Sequence, residues 1–329
     1  MTAKRLVFTG KQQVQLENYE PEPLGARSVL VKTAVSLMST GTENIVFNRW
    51  FEAGTGWDDW VKYPFYPGYA AVGTVAAVGA EVTTLQAGDR VAYRLGHRSH
   101  AVVDAAECYP IPAGIPFEQA VWFALAKITF IGARSAGYRL GDHALIIGAG
   151  PIGQMETRWA AACGVQKLIV ADAMPSRLAL ATAGGATAVL AGNIGEARAA
   201  VLAAGDGQLP RVVVDSTGNH KVFVETQRLA RDFGRIVLLG DTGEPSKQTL
   251  THEVMRRGLV ITGAHDCHDS AEWNNTTINR FFFQLVAAGR ISLAGLNSHR
   301  FTPEQCAEAY DIANRARAST MGIIFEWSK

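Results

Sequence analysis

The sequence predicts an α/β protein built from a mostly β lobe and a doubly wound parallel sheet. The first observation is that short strand patterns, separated by Gly and Pro, fill the first hundred residues. The second is that strand and helix patterns alternate from about residue 116, which is typical of a parallel sheet with helices on both faces. The third is the length of 329 residues, which exceeds the usual size of one hydrophobic core and favours two lobes with a cleft.

The β lobe is predicted from runs of apolar and β-branched residues that lie between turn residues. These runs are at 5–8, 28–35, 70–78 and 90–93. A further strand pattern at 321–327 ends the chain, and the simplest arrangement returns it to the same lobe.

The parallel sheet is predicted from apolar strands that alternate with helical patterns, since strands buried on both faces are apolar throughout. The predicted strands lie at 144–147, 168–171, 211–215, 235–239 and 259–262. The predicted helices lie at 117–136, 151–162, 177–183, 221–231, 279–288 and 303–316.

The most informative motif is a glycine turn that joins the first of these strands to a helix. Gly148 allows a tight turn, Gly150 lets the backbone approach a pyrophosphate, and Gly153 lets the helix pack closely on the strand. Pro151 and Ile152 open the helix, whose first amides and dipole favour phosphate groups. The motif predicts a bound dinucleotide, and the alternative is a glycine turn with a structural role alone.

Asp172 ends the next predicted strand, at the spacing of an acidic residue that accepts hydrogen bonds from the adenosine ribose. A carboxylate there would repel the 2′-phosphate of NADP, so the sequence favours NAD as the cofactor. Arg177 lies close by and weakens that distinction, although it can equally lie along the adenine or pair with Asp172.

Composition limits the expected binding partners and the expected cell compartment. A formal net charge of +1 gives no electrostatic case for nucleic acid or a membrane surface, so small molecules are the expected partners. Four scattered cysteines form neither a disulfide framework nor a C-x-x-C pair, which suits a reducing compartment. The first residues lack the apolar region of a signal peptide and no stretch could span a bilayer, so we expect a cytoplasmic protein.

Several blocks resemble the medium-chain dehydrogenase/reductase superfamily over essentially the whole chain. They are the G-x-V-x-x-V-G block at 73–79, the G-D-R-V block at 88–91, Gly141-Asp142, the strand end at 215–218 and the strand and glycine at 234–240. The resemblance implies a GroES-like catalytic domain, residues 1–125 and 266–329, and a Rossmann NAD-binding domain, residues 126–265. It also implies hydride transfer in the cleft, a homodimer, and cofactor contacts from Ser216, Thr217, Gly240, Ala264 and His265.

The zinc ligands of that superfamily are missing from this sequence. Ser39 stands at the place of the first cysteine, Tyr69 at that of the usual His in Gly-His-Glu, and the third ligand place falls near Ala124. Zinc requires thiolate, imidazole or carboxylate ligands, and the four cysteines of the structural zinc are absent too. The pattern resembles a zinc-free branch that includes the bacteriochlorophyllide hydroxyethyl dehydrogenases, so we expect no metal.

Another group must then assist removal of the hydroxyl proton, which zinc otherwise does by lowering the pKa of the alcohol. Tyr69 is one candidate, as acid/base or as an orienting partner, and the alternative is a tyrosine that fills the space of the zinc. Lys127, in an apolar helix, can act as a base or stabilise an alkoxide, and the alternative is a surface lysine. Ser39 and Thr42 join this group, with Thr42 as a proton relay, whereas Glu43 is expected to buttress the loop.

Two groups of histidines are assigned no catalytic role. His97 and His100 are expected in a solvated loop, and the alternative is that each reaches the cleft. The run of His, Asp, Cys and His at 265–268 suggests a metal cluster at first sight, but its position favours contact with the cofactor.

The segment 43–66 is rich in aromatic residues. Among them, Trp50, Trp57 and Trp60 can line a pocket for a sugar ring or a planar molecule, because aromatic faces stack on both. A small aromatic core, or a dimer or lid contact, is the alternative.

The sequence therefore predicts a zinc-independent, NAD-dependent dehydrogenase that oxidises a secondary alcohol such as a polyol, a sugar or a ring-borne hydroxyl. An NAD(P)H-dependent quinone or enone reductase is the rival enzyme, against which Asp172 argues, because the resemblance implies NADPH for that reaction. A catalytically inactive nucleotide-binding protein is the alternative outside enzymes.

Overall fold

The computed structural model describes residues 2–327. Its two lobes, named here the β lobe and the α/β lobe, are each organised around their own sheet. None of the helices within the described part of the chain has the length and apolar character needed to cross a membrane.

The β lobe begins the chain and consists of strands with two short helices. Its first elements are β1 (Ala3–Gly10), β2 (Gln13–Tyr19), β3 (Ser28–Met38), α1 (Thr40–Asn48), α2 (Gly56–Trp60), β4 (Ala71–Val78), β5 (Arg90–Tyr93), β6 (His100–Asp104) and β7 (Tyr109–Pro110).

Two helices, α3 (Phe117–Ala120) and α4 (Phe123–Ala136), lead into the α/β lobe. Its strands and helices are β8 (His143–Ile147), α5 (Pro151–Ala162), β9 (Lys167–Asp172), α6 (Pro175–Ala183), β10 (Ala188–Ala191), α7 (Arg198–Ala204), β11 (Val212–Asp215), α8 (His220–Leu229), β12 (Arg235–Leu238), α9 (His252–Arg256) and β13 (Val260–Gly263). The chain continues through α10 (Asn275–Ala287), β14 (Asn297–Phe301), α11 (Cys306–Arg315) and β15 (Gly322–Glu326).

The main sheet of the β lobe has the strand order β14-β15-β3-β4-β5-β7, and β6 pairs with β3. Strand β15 runs antiparallel to β3, with Ile323 opposite Met38, so the predicted return of the final strand to this lobe is confirmed. Beside it, the rings of Phe8, Phe47 and Tyr310 pack against one another with centroids 4.9–5.2 Å apart. This aromatic core fixes the position of α1 against the sheet.

The sheet of the α/β lobe is parallel and has the order β10-β9-β8-β11-β12-β13. Its central strands are fully buried, as the apolar sequences at 144–147 and 212–214 predict. The direction of strand order changes beside β8, and open parallel sheets bind ligands at such a point, outside the carboxyl ends of their strands. The glycine turn lies at that end of β8.

The helix predicted at 117–136 is interrupted. Helix α3 ends at Ala120 and α4 begins at Phe123, with Trp122 between them fully buried. The Trp122 indole donates to Asn297 Oδ1 at 2.9 Å, a residue distant in the sequence. This tertiary contact anchors the break, and local helix propensity does not reveal it.

Helix α10 lies against the α/β lobe before the chain rejoins the β-lobe sheet at β14. The ring of Phe281 stacks on Trp159 of α5 with centroids 5.9 Å apart, and α10 also contacts α4. The domain limits at 125 and 265 stay a prediction, because this contact places part of the chain after 265 beside helices of the α/β lobe.

Candidate functional site

A cleft of about 1470 Å³ lies between the two lobes. It exceeds the roughly 1,000 Å³ that usually suffices for one drug-sized ligand, so it has room for a dinucleotide and a second molecule. The cleft is lined by every residue that the sequence assigns to cofactor binding. They are Gly148, Gly150, Pro151, Ile152, Gly153, Asp172, Arg177, Ser216, Thr217, Gly240, Ala264 and His265.

The glycine turn has the geometry that each glycine is expected to allow. Gly148 has φ of +92°, which favours glycine, and a Cβ on Gly153 would lie 1.8 Å from the Gly148 carbonyl oxygen. Gly150, by contrast, is open, since a Cβ there would meet only Arg177 Nη1 within 4 Å, at 3.7 Å. The turn therefore needs glycine for packing at two positions and leaves space for a ligand at the third.

Asp172 lies at the end of β9 and closes this turn. Its carboxylate accepts the backbone N–H of Ala149 at 2.6 Å and that of Met174 at 2.7 Å. Arg177 Nη1 is 3.9 Å from the carboxylate, while its Nη2 donates to the carbonyl of Arg317 at 2.6 Å. Asp172 thus has a structural role as well as the position predicted for a ribose contact.

The end of β11 contributes Ser216 and Thr217 to the cleft lining, and the adjacent Asp215 is buried. Burial raises the pKa of Asp215 to about 6, even though the Thr217 hydroxyl and N–H donate to its carboxylate at 2.6 and 2.9 Å. Ser216 donates to the carbonyls of Ile147 and Gly148, which ties β11 to the glycine turn. The predicted cofactor residues of the two strands are therefore parts of one connected surface.

Three hydroxyl groups meet on the β-lobe side of the cleft. Tyr69 donates a hydrogen bond to Ser39 Oγ at 2.5 Å and shares another with the Thr42 side chain. Burial raises the pKa of Tyr69, and the hydrogen bonds and the charge of Arg94 offset only part of that effect. Tyr69 is therefore a neutral phenol at physiological pH, which favours hydrogen bonding over action as a phenolate.

Arg94 is a site residue that the sequence reasoning missed. Its guanidinium carbon lies 5.3 Å from the centre of the Tyr69 ring, and its Nη2 is 2.7 Å from Asp266 Oδ2. Burial alone would raise the pKa of Asp266, but Arg94 and Lys127 hold it below the ordinary value. The sequence feature that could have revealed it is an arginine directly after the strand of the G-D-R-V block, in a chain that lacks the four cysteines of the structural zinc.

Lys127 is the predicted catalytic residue that is not part of the cleft lining. It is 2% exposed, and its ammonium lies 2.9 Å from Asp266 Oδ1 and 2.8 Å from Asp269 Oδ1. It also donates to the backbone carbonyl of Asp266. These contacts agree neither with a snorkelling surface lysine nor with a base that reaches substrate, because the ammonium is buried among its partners and outside the cleft lining.

The aromatic segment is divided between the cleft and the core. Trp50, Trp57 and Trp60 line the cleft, and about half of the Trp50 and Trp60 surface is exposed. The rings of Trp57 and Trp60 lie 5.7 Å apart. Phe47 instead packs in the aromatic core beside β15, so both interpretations of this segment describe part of it.

The expectation that His97 lies in a solvated loop is wrong. His97 is 1% exposed and hydrogen-bonds with Ser36 and Glu43, whereas His100 is partly buried on β6. A loop without regular secondary structure gives no sign of burial in the sequence, because burial is decided by the segments that cover it. Glu43 is itself 2% exposed and accepts the Ser39 N–H at 2.7 Å, which agrees with a buttressing role.

Two family models match the two lobes. Residues 25–138 match the model described as alcohol dehydrogenase GroES-like domain, and residues 151–282 match the model described as zinc-binding dehydrogenase. The chain belongs to the medium-chain dehydrogenase/reductase superfamily. The predicted pairing of a GroES-like domain with a Rossmann domain is thereby confirmed.

Relatives of this medium-chain dehydrogenase/reductase align over nearly their whole length. Sorbitol dehydrogenase of Bos taurus is 28% identical over 344 residues, covering 94% of this chain and 92% of the relative. A solved short chain alcohol dehydrogenase from E. coli CFT073, complexed with NADH, superposes with a TM-score of 0.83 at 21% identity, covering 99% of each chain. A dehydrogenase from Sinorhizobium meliloti 1021, bound to NADP, superposes with a TM-score of 0.82 at 20% identity and the same coverage. The two structural likenesses show the fold.

The residues at the predicted zinc position do not fit a zinc ion. Ser39 and Tyr69 supply hydroxyl groups that hydrogen-bond to each other, and Ala124 presents a fully buried methyl group in α4. Zinc in proteins is held by thiolate, imidazole or carboxylate groups, and this set has none. Across residues 2–327, no three or more His, Cys, Asp and Glu side chains are grouped so that they could hold a metal ion.

Proposed function

We propose that the protein is a zinc-independent, NAD-dependent dehydrogenase that oxidises a secondary alcohol, such as a polyol, a sugar or a ring-borne hydroxyl, to a ketone. One observation carries this proposal: the Tyr69–Ser39 hydroxyl pair and the Arg94 cation lie in the same cleft as the glycine turn. The similarity to sorbitol dehydrogenase supports an alcohol as the substrate class.

The glycine turn and Asp172 are proposed to hold the cofactor. The open space at Gly150 suits a pyrophosphate beside the first turn of α5, and Asp172, which lines the same cleft, is proposed to accept hydrogen bonds from the adenosine ribose. The carboxylate of Asp172 favours NAD. Binding of NADP would require Arg177 and Arg317, which line the same cleft, to hold its 2′-phosphate. When bound, the nicotinamide ring supplies the acceptor of the hydride from the carbinol carbon.

The hydroxyl chain is proposed to remove the proton of the substrate hydroxyl. Tyr69 already donates its own proton to Ser39 Oγ, so its oxygen can accept the substrate proton as the phenol proton moves to Ser39. Ser39 in turn releases its own hydroxyl proton to solvent in the cleft that it lines. The C–H and O–H bonds of the substrate break, the carbonyl double bond forms, and Tyr69 ends the step neutral.

Arg94 is proposed to supply the positive charge that zinc provides in other members of the superfamily. Its guanidinium is fixed beside Tyr69 by the ion pair with Asp266, which is held in turn by Lys127. A fixed charge that faces a developing alkoxide stabilises the transition state without reorganisation. In this arrangement Lys127 acts through Asp266 and not on the substrate.

The tryptophans are proposed to bind the carbon skeleton of the substrate. The Trp57 and Trp60 rings are tilted by 53° to each other on the cleft wall, and Trp50 is exposed near them. Aromatic faces of this kind pack against the C–H faces of sugar rings and against planar rings, which suits a cyclic substrate.

A homodimer is proposed from the exposed edge of the α/β sheet. Strand β13 ends the sheet, and Val260 on it, together with the nearby Phe233 and Met255, is exposed to solvent. An apolar edge strand favours pairing with a second copy of the chain. Small molecules are the only other partners that we propose.

The proposed location is the cytoplasm. The four cysteines are free thiols, which suits a reducing compartment.

The test is a panel of secondary alcohols, polyols and sugars with NAD or NADP, followed by the absorbance of the reduced cofactor. Oxidation of at least one alcohol with NAD, and its loss in Tyr69→Phe, is the expected result. Reduction of quinones or enones with NADPH and no alcohol oxidation would support the reductase instead. Binding of NADH without any turnover would support a nucleotide-binding protein.

A further inference from the structure

A chain of buried polar groups lies beneath the reactive hydroxyls. His97 Nδ1 is 2.7 Å from Ser36 Oγ, and His97 Nε2 is 3.1 Å from Glu43 Oε2. Trp327 Nε1 donates to Ser36 Oγ at 2.9 Å, so the serine proton can point to Nδ1 and the imidazole proton then lies on Nε2, facing Glu43. The order of groups is that of a Ser-His-Glu triad, but Ser36 is fully buried, so no substrate reaches it.

Glu43 connects this chain to Ser39. One carboxylate oxygen accepts the Ser39 N–H at 2.7 Å, and the other accepts from Tyr310 as well as from His97. Ser39 is the N-cap residue of α1, yet its hydroxyl makes no capping hydrogen bond. Because the Ser39 hydroxyl caps no amide of α1, it is left to accept the proton of Tyr69, while Glu43 fixes the Ser39 backbone.

His97 also supports the turn that carries Tyr69. Gly68 has φ of +94°, and a Cβ on it would lie 2.8 Å from the His97 ring. The backbone N–H of His97 donates to the carbonyl of Pro67 at 2.8 Å. The backbone before Tyr69 therefore rests directly on the imidazole, and both members of the reactive hydroxyl pair are held by the same buried partners.

We propose that His97 and Glu43 are positioning residues, which together hold Ser39 and Tyr69 within the hydrogen-bond distance, 2.5 Å, over which a proton can pass between them. Replacing a buried ion or hydrogen-bonded pair by well-packed apolar residues is often neutral or stabilising, so stability does not by itself account for this pair. The inference rests on the proposed function, because it concerns the proton path of that reaction.

The test follows the environment of Tyr69 directly, in protein labelled with 3-fluorotyrosine. The chain has eight tyrosines, and the fluorine resonance that disappears in Tyr69→Phe belongs to Tyr69. His97→Leu is expected to move or broaden that resonance. His97→Gln, whose amide can donate to Glu43, is expected to return it toward the position in the unchanged protein. His100→Leu is the matched control, since the side chain of His100 bonds to the adjacent Ser99.

Kinetics with the alcohol found in the panel provide the second readout. His97→Leu is expected to lower kcat by about ten- to a hundredfold, since small misplacements of reacting groups cost factors of this size. The affinity for NADH, measured by fluorescence, is expected to stay unchanged, because His97 does not line the cleft that holds the glycine turn. His97→Gln is expected to recover most of the kcat.

A Tyr69 resonance that stays in place in His97→Leu overturns the inference, whether or not the protein oxidises an alcohol. Should His97→Leu fail to fold, Glu43→Gln takes its place, and an unchanged Tyr69 resonance there overturns the inference equally. Absence of alcohol oxidation in the unchanged protein would overturn the proposed function, while the fluorine resonances still decide whether this pair positions Tyr69.

Discussion

Glu156 gives the α/β lobe a pH-dependent stability that can be measured. It lies fully buried on α5, accepts the Tyr138 hydroxyl at 2.7 Å on Oε1, and has no hydrogen-bond partner for Oε2 within the described residues. A Cβ on Gly132 of α4 would lie 2.8 Å from that oxygen. Burial in this contact between the helices raises the pKa of Glu156 from 4.5 to about 8, and the Tyr138 hydrogen bond offsets only part of the effect.

The sign and size follow from proton binding. Between pH 4.5 and about pH 8 the folded protein holds a proton on Glu156 that the unfolded chain has released. The free energy of unfolding therefore falls as pH rises through this window. A difference of about 3.5 pH units corresponds to about 5 kcal/mol, of which roughly 3 kcal/mol falls between pH 6 and pH 9.

The assay is urea unfolding at pH 6 and pH 9 of the unchanged protein and of Glu156→Gln. The amide has nearly the same shape but no charge, so Glu156→Gln is expected to lose about 3 kcal/mol less than the unchanged protein between the two pH values. Glu81→Gln, at an exposed position, is the control and is expected to keep the original difference. Equal losses in the unchanged protein and in Glu156→Gln would refute the reasoning.

Three further outcomes are expected. Asp172→Ala weakens NAD binding more than NADP binding in fluorescence titrations, and equal weakening of both would leave Asp172 only its role in closing the turn. Arg94→Met lowers kcat by about a hundredfold or more while NADH affinity persists, because a charge aimed at the alkoxide is lost. The control is Arg98→Met, since Arg98 lies in the same loop but over the Tyr19 ring. An equal loss of kcat in both variants would contradict the role of Arg94. The purified protein contains no stoichiometric zinc and keeps its activity with a chelator, which metal analysis and assays with EDTA check.

The elements with strong local signals were predicted closely. Helix α5 spans the predicted residues 151–162, because Pro151 suits the first helical position and Gly164 follows its end. Helix α1 was not predicted. Its first turn contains Thr40, Gly41 and Thr42, which are poor helix formers, and it is stabilised by packing of Val46 and Phe47 in the aromatic core.

The candidate site was predicted only in part, because local sequence patterns reveal some of its residues and tertiary contacts bring together the others. The cofactor residues follow a spacing along the chain, so Gly148, Gly150 and Asp172 could be identified from sequence. Arg94 and Asp266 are far apart in the sequence and meet only because the two lobes face each other. No spacing rule connects them, and the pairing of Lys127 with Asp266 and Asp269 was likewise invisible.

The sequence by itself determined the two-lobed α/β architecture, the glycine turn and the absence of the usual zinc ligands, because each of these is written in local patterns. The tertiary structure alone decided which polar groups occupy the other half of the cleft. It brought Arg94 over Tyr69 and buried His97 beneath Ser39, since burial and electrostatic contact depend on segments that are close in space and distant along the chain.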